Sequence, residues 1–225
     1  MSKWWPLKRT ENPLLVQKLV DGLSRRQETG RTGIHVSDLV LCLRRAYYSK
    51  VSPRQPTVET LSYFVDGSRR DLVIKGLLGT RVGPMEKDGI WFTPDSVDEA
   101  GDPIEIKTTR AAEGVSAHYV TQLTYYMVLM KRNRGRLLIQ RVGYKRVGPP
   151  FEAYEFEFEG GEIQRHRREM LERRDLFSKA LDQRDPTLVP SVRSDPAQNW
   201  LCRGCRWNEE CEVIDLQRSV RNDKS

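Results

Sequence analysis

Two carboxylates and a lysine lie close together in the stretch FTPDSVDEAGDPIEIKTT. Glu105 and Lys107 are two residues apart, so on a strand their side chains project from the same face. The DEAGD turn lets the preceding strand return antiparallel, which would bring Asp95 beside Glu105. Two carboxylates suit Mg²⁺ or Mn²⁺, and such a metal can polarise a phosphate while a lysine stabilises the developing charge. The spacing predicts metal-dependent chemistry on a phosphate, although a bare E-x-K strand is also typical of a surface ion pair.

A second group of residues, the cysteines, predicts a metal site of another kind. The sequence has four cysteines, Cys42, Cys202, Cys205 and Cys211, and three of them fall in LCRGCRWNEEC. The C-x2-C spacing lets two thiolates reach one metal from a single turn, and a third can close on the same site. We infer that Cys42 completes a four-thiolate site and joins the two ends of the chain. Zinc and iron–sulfur clusters both accept four thiolates, and four ordinary buried cysteines are the remaining alternative.

These residues resemble a known family. The resemblance to the PD-(D/E)XK nuclease superfamily, and to its RecB-like branch, is carried by Pro94, Asp95, Glu105, Lys107, Gln122 and Tyr126, the last two forming a Q-x3-Y element. With one cysteine before this core and three after it, the chain resembles the CRISPR-associated iron–sulfur RecB-like exonucleases, the fourth protein of the Cas series. The resemblance covers roughly residues 35–211.

The resemblance implies a function and a cofactor. The cysteines would hold a [4Fe–4S] cluster, and the enzyme would trim single-stranded DNA ends with Mg²⁺ or Mn²⁺. Its setting would be CRISPR adaptation, the processing of new spacer DNA, with the CRISPR integrase complex as a partner. A stand-alone RecB-like repair or phage nuclease is one alternative. A non-catalytic nucleic-acid-binding module with a structural metal site is the other.

The resemblance also assigns roles to single residues. Asp95 and Glu105 would bind the divalent metal, Lys107 would act on the phosphate, and Gln122 and Tyr126 would orient the catalytic strand and the DNA backbone. Core packing is the alternative for Gln122 and Tyr126.

In the helix before the strands, this chain departs from the family. The run Gly67-Ser68-Arg69-Arg70-Asp71 has aspartate where the family commonly has a metal-binding histidine. Asp71 is therefore either a third metal ligand or the partner of Arg70 or Lys75 in a surface ion pair. His118, one turn before Gln122 on the same helix face, is interpreted as a surface histidine, and an approach to the substrate is the alternative.

The periodicity predicts the elements that position these residues. Helices are predicted over 13–29, 37–48, 57–78, 116–131 and 161–184, and strands over 80–87, 89–97, 103–109, 136–143 and 151–158. This is an α/β pattern. Together with the resemblance, it predicts a restriction-endonuclease-like core, a central mixed sheet flanked by helices, with an iron–sulfur clasp that joins the N- and C-terminal helical segments. We expect one nuclease domain over 1–225, with an N-terminal helical segment over 1–55, the nuclease core over 56–160 and the C-terminal helix and three-cysteine segment over 161–225.

Composition indicates a polyanionic partner. The 225 residues include 38 Lys and Arg against 31 Asp and Glu, a formal charge of +7 with a pI near 9.3. Basic residues cluster between 131 and 149, and the candidates for DNA binding are Arg44, Arg45, Lys131, Arg132, Arg134, Arg136, Lys145 and Arg146. A solvated basic rim is the alternative.

No stretch approaches the ~18 apolar residues that a membrane span needs, and the N-terminus lacks the apolar core of a signal peptide, so we expect a cytoplasmic protein without a membrane partner.

Overall fold

A computed structural model describes residues 13–27, 31–78, 82–111, 113–143, 148–196 and 198–222. Its helices are α1 (Pro13–Gln27), α2 (Val36–Val40), α3 (Leu43–Val51), α4 (Val58–Leu78), α5 (Ala117–Met130), α6 (Glu162–Gln183) and α7 (Asn208–Asn222). Its strands are β1 (Ile34–His35), β2 (Met85–Lys87), β3 (Ile90–Phe92), β4 (Ser96–Val97), β5 (Pro103–Thr109), β6 (Arg134–Arg141) and β7 (Phe151–Glu157). Short 3₁₀ helices cover Pro186–Leu188 and Asn199–Cys202. Within these ranges, no helix has the length and apolar character needed to cross a membrane.

The strands form two sheets flanked by helices. One sheet has the order β1-β3-β2, and the other, β4-β5-β6-β7, is mixed, because β5 and β6 are parallel while its two outer pairs are antiparallel. The predicted α/β class is confirmed. The single strand predicted over 89–97 is wrong, since β3 and β4 belong to different sheets. Pro94 lies between them, and proline cannot donate the hydrogen bond that would continue a ladder.

Helix α5 connects the four-stranded sheet to the rest of the core. Leu123 and Met127 pack on Leu137 and Ile139 of β6. The contact is close at Gly135, where a Cβ would lie 2.9 Å from Leu123 Cδ1 and would force the Leu123 and Met127 side chains to move. The other side of α5 packs in the larger core with α2, α3 and α6. Helix α5 is therefore held between the four-stranded sheet and the other helices, which fixes the residues that it presents to β5.

The helix predicted over 37–48 is two helices. The break falls at Leu41 and Cys42, where Cys42 has extended backbone angles and begins α3 as its N-cap. Arg173 of α6 donates hydrogen bonds to the carbonyl oxygens of Leu39 and Leu41, which the end of α2 leaves without helical partners. A contact from a distant helix thus stabilises the break that places Cys42 at a helix start.

Candidate active site

The β4–β5 hairpin brings the two predicted carboxylates together. Ser96 pairs with Ile104, so Asp95, just before β4, lies opposite Glu105. Asp95 Oδ2 accepts a hydrogen bond of 2.8 Å from the backbone N–H of Ile106, which fixes the carboxylate against β5. The antiparallel return predicted from the DEAGD turn is therefore correct.

Glu105 is a buried acid, with only 2 % of its surface exposed. One carboxylate oxygen forms an ion pair with Lys107. The other, Oε2, is buried without a hydrogen-bond partner among the residues that the structure describes. The pKa of Glu105 is raised to about 8, chiefly by burial and in part by the neighbouring Asp95, while Lys107 acts in the opposite direction. The site holds a carboxyl group that favours either a proton or a further cation.

A chain of hydrogen bonds runs from Lys107 into the core. Lys107 Nζ donates to Gln122 Oε1 at 3.0 Å, and Gln122 Nε2 donates to the Tyr126 hydroxyl at 2.8 Å. Tyr126 is buried beside Phe92, and this burial raises its pKa, so the hydroxyl stays neutral. The Tyr126 ring therefore packs in the core, while its hydroxyl holds Gln122 against Lys107.

Lys75 also belongs to this site, and no pattern in the sequence predicts it there. Its Nζ lies 2.5 Å from Asp95 Oδ1, and Asp95 is largely buried. From the sequence, Lys75 is expected only as an ion-pair partner of Asp71. Asp71 falls in α4, four residues before Lys75, but its side chain lies outside the described residues. Each described carboxylate of the site is thus paired with its own lysine.

The donor set at this site fits a hard divalent cation. Asp95 and Glu105 offer carboxylate oxygens, and Glu105 Oε2 is buried and unpartnered. Such oxygens, completed by water and backbone carbonyls, are what Mg²⁺ and Mn²⁺ prefer. Across the described ranges, no three His, Cys, Asp or Glu side chains form a group that could hold a metal ion, so the described part of this site supplies two acidic ligands.

The four cysteines line one small cavity, whose remaining walls include Val192 and Leu201. They come from the start of α3, the 3₁₀ turn Asn199–Cys202, the loop after it and α7, and all four are free thiols. Burial raises the pKa of Cys211 to about 11, with contributions from Cys42 and Cys205, whereas Arg44 lowers it. The thiols are therefore near enough to affect one another.

Other contacts hold the N- and C-terminal segments together around this cavity. Trp207 Nε1 donates to the carbonyl oxygen of Ser52 at 3.1 Å, and the Trp207 ring is nearly parallel to Tyr48, with centroids 6.5 Å apart. Arg54 forms an ion pair with Glu210. The described residues form no group of three or more His, Cys, Asp or Glu ligands for a metal ion, so the clasp stays a prediction, and the contacts that hold the two segments together here do not involve sulfur.

Arg44 does not lie on a DNA-binding surface, contrary to the sequence prediction. It is 1 % exposed, and its guanidinium pairs with Asp215 at 2.6 Å and donates to the Val189 carbonyl oxygen. A phosphate cannot reach a side chain that is buried and already paired. The neighbouring Arg45 is exposed and remains a candidate.

The basic residues after α5 are only partly free. Arg136 forms ion pairs with Asp98 and Glu155, and Arg134 lies 3.8 Å from Asp102. Lys131 and Arg132 are exposed. Lys145 and Arg146 lie outside the described residues. Acidic side chains close in space, but distant in sequence, therefore reduce the predicted positive surface.

The fold is similar to that of SSO0001, whose crystal structure aligns with a TM-score of 0.57 and 19% identity over 86% of this chain and 93% of that chain. An alkaline exonuclease (LHK-Exo) from Laribacter hongkongensis aligns with a TM-score of 0.47 and 12% identity over 69% of this chain and 92% of its own. A phage-related exonuclease from Haemophilus somnus 129PT has the same TM-score at 8% identity, over 69% of this chain and 97% of its own. The sequence matches no protein-family profile and no curated protein.

Proposed function

We propose that this protein is a divalent-metal-dependent deoxyribonuclease that trims single-stranded DNA ends. The observation that carries the proposal is Glu105, a buried carboxylate with one oxygen on Lys107 and the other without a partner in the described part of the chain. Asp95 lies beside it. Burying an acid in this way is costly unless a proton or a cation compensates the charge, and a second carboxylate beside it supports the choice of a cation site.

The chain's own residues have separate roles in the proposed reaction. Asp95 and Glu105 would hold Mg²⁺ or Mn²⁺, with Asp71 as a further ligand, and the ion would supply Lewis-acid polarisation of the scissile phosphate. Lys107 places its ammonium beside the phosphate and stabilises the negative charge that develops there. Gln122 fixes the position of that ammonium through the hydrogen bond at 3.0 Å, and Tyr126 fixes Gln122.

We further propose a [4Fe–4S] cluster on Cys42, Cys202, Cys205 and Cys211. All four thiols border one cavity, which supports a metal group shared by the four, and the choice of a [4Fe–4S] cluster over zinc follows the sequence resemblance. Such a cluster would act as a clasp between the N- and C-terminal segments.

The proposed biological setting is the processing of new spacer DNA together with a CRISPR integrase complex. This part of the proposal rests on the sequence resemblance, that is, on the joint pattern of the Asp–Glu–Lys core, the Q-x3-Y element and the one-plus-three cysteines.

The test is a nuclease assay on end-labelled single strands, with anaerobically purified protein and either Mg²⁺ or Mn²⁺. We expect progressive shortening that stops with chelator and in Asp95→Asn. Lys179→Ala, an exposed lysine of α6, is the control for loss of one positive charge. Wild-type protein that binds the strand but does not cut it with either metal would instead identify a non-catalytic binding module.

A further inference from the structure

A row of aromatic rings leads away from Lys107. Lys107 Nζ lies 5.5 Å from the centroid of the Tyr119 ring, and the His118 ring lies 4.3 Å from that of Tyr119. His118 is in turn 6.5 Å from the ring of Trp200. Three rings therefore extend from the ammonium group of the candidate active site to the 3₁₀ turn Asn199–Cys202.

The outer end of this row is accessible. Trp200 is 50 % exposed, although tryptophan is a residue that proteins usually bury to a large extent. Hydrogen-bonding between Ser116 Oγ and His118 Nδ1, at 2.6 Å, restrains the histidine ring. Burial and the nearby Lys107 lower the pKa of His118, so the ring is uncharged at neutral pH. The row thus presents restrained, neutral rings that end in an open indole face.

We propose that Trp200, with His118 and Tyr119 behind it, is a stacking surface for the unpaired bases of the strand whose phosphate lies at Lys107. This inference rests on the proposed nuclease function and adds to it a binding surface for the bases of the substrate. Aromatic side chains beside a phosphate-binding lysine provide what a single strand needs, since every base has a face that can stack and the backbone follows the charge. Bases of a duplex are already stacked and paired, so the surface favours single-stranded ends.

The stacking surface also connects the cysteines with the substrate. Trp200 lies two residues before Cys202, in the same 3₁₀ turn. A metal group that fixes Cys202 therefore restrains the turn that carries the indole. A cluster bound there would help to position Trp200 for substrate binding, in addition to any contribution to stability.

The experiment measures binding of a fluorescent single-stranded oligonucleotide in chelator, so that no cleavage occurs. One probe carries bases throughout, and a second has a tract of abasic sites at the end. We expect Trp200→Ala to weaken binding of the normal strand about tenfold and to leave the abasic strand unaffected. Trp200→Phe, which retains a ring, should stay within about threefold of wild type.

Phe151→Ala is the matched control, because Phe151 is also an aromatic residue with 49 % exposure, and it lies on β7 outside the row. We expect its binding of both strands to equal that of wild type. The proposal would be overturned if Trp200→Ala lost the same affinity for the normal and the abasic strand, or lost no affinity for either. Failure of the proposed function gives a different result, namely wild-type protein that distinguishes the two strands but does not cut them with metal.

Discussion

Lys75 Nζ lies 2.5 Å from Asp95 Oδ1, so a lysine of α4 neutralises a carboxylate that we propose to bind a metal. The ammonium and a divalent cation compete for the same oxygen atoms. We therefore expect Lys75→Ala to bind Mn²⁺ about three- to tenfold more tightly than wild type, as measured by isothermal titration calorimetry.

Arg70→Ala is the control for this measurement, since it removes a positive charge from the same helix, where Arg70 pairs with Asp66. Its affinity for Mn²⁺ should stay close to that of wild type. Weaker Mn²⁺ binding by Lys75→Ala would show that the lysine supports the metal site instead of competing with the ion.

Lys107 is predicted to act on the reaction and not on metal retention. Its ammonium lies between Glu105 and Gln122, where it can stabilise charge on a phosphate. Lys107→Ala should lower the single-turnover cleavage rate by about two to three orders of magnitude, while Mn²⁺ affinity is maintained or increased. Lys179→Ala should retain the wild-type rate. A Lys107→Ala protein that cleaves at the normal rate would place the chemistry elsewhere.

The buried Glu105 predicts a pH dependence of stability for the metal-free protein. Its pKa is about 8 when folded, against an ordinary value of 4.5, so between these values the unfolded chain loses a proton that the folded protein keeps. Stability contributed by this group is therefore lost as pH rises from about 4.5 to about 8. Glu105→Gln, which cannot ionise, should gain on the order of 4 kcal/mol relative to wild type between pH 5 and pH 9.

Urea unfolding with chelator, at a series of pH values, measures this difference. Glu152→Gln is the control of opposite sign, because the hydrogen bond from Arg141 lowers the pKa of Glu152 to about 2. The stability that ionised Glu152 contributes is therefore present at neutral pH and is lost on acidification. Parallel pH profiles for wild type and Glu105→Gln would contradict the assignment of a raised pKa to Glu105.

The sequence predicts the parts of the site that depend on short-range geometry. Strand alternation places Glu105 and Lys107 on one face, and the turn before β5 places Asp95 opposite Glu105. A spacing of one helical turn places Gln122 next to Tyr126, at 2.8 Å. These relationships follow from the periods of a strand and a helix and from a tight turn.

Long-range packing decides the features that sequence reasoning missed. Arg44 looks like a surface cation in the sequence, yet its partner Asp215 is 171 residues away. The helix break before Cys42 depends on Arg173 of α6. The burial of Glu105 depends on the elements packed around β5. None of these has a local signal, because each is set by which helix packs on which strand.

The cysteines provide a prediction about composition and stability. Anaerobically purified wild-type protein should be brown and contain about four irons per chain. Cys42→Ala and Cys205→Ala should each lose the iron and lower the melting temperature by a similar amount, about 5–10 °C, because each removes one of four ligands that close a long loop. Contacts such as Trp207 with Ser52 should keep the unfolding cooperative.

Val192→Ala is the control, since Val192 borders the same cavity without a metal-binding atom. It should retain the iron. If the purified protein is colourless and contains one zinc per chain, the four cysteines bind zinc and not an iron–sulfur cluster. A Cys42→Ala protein with full iron content would exclude Cys42 as a ligand.

Arg44 and Arg45 are adjacent arginines for which the structure predicts opposite effects. Arg44→Ala removes the buried partner of Asp215 and should lower the free energy of unfolding by about 3 kcal/mol. Arg45 is exposed, so Arg45→Ala should leave stability unchanged. If Arg45 contacts a phosphate, its removal also lowers DNA affinity and reduces the slope of log affinity against log salt by about one. Denaturant unfolding and salt-dependent DNA binding, measured on both variants, separate the two roles.

The Arg44→Ala/Asp215→Ala double variant should lose less stability than the two single losses added together, because the single variants each break the same ion pair. An Arg44→Ala protein with wild-type stability but weak DNA binding would reverse the assignment and return Arg44 to the DNA-binding surface.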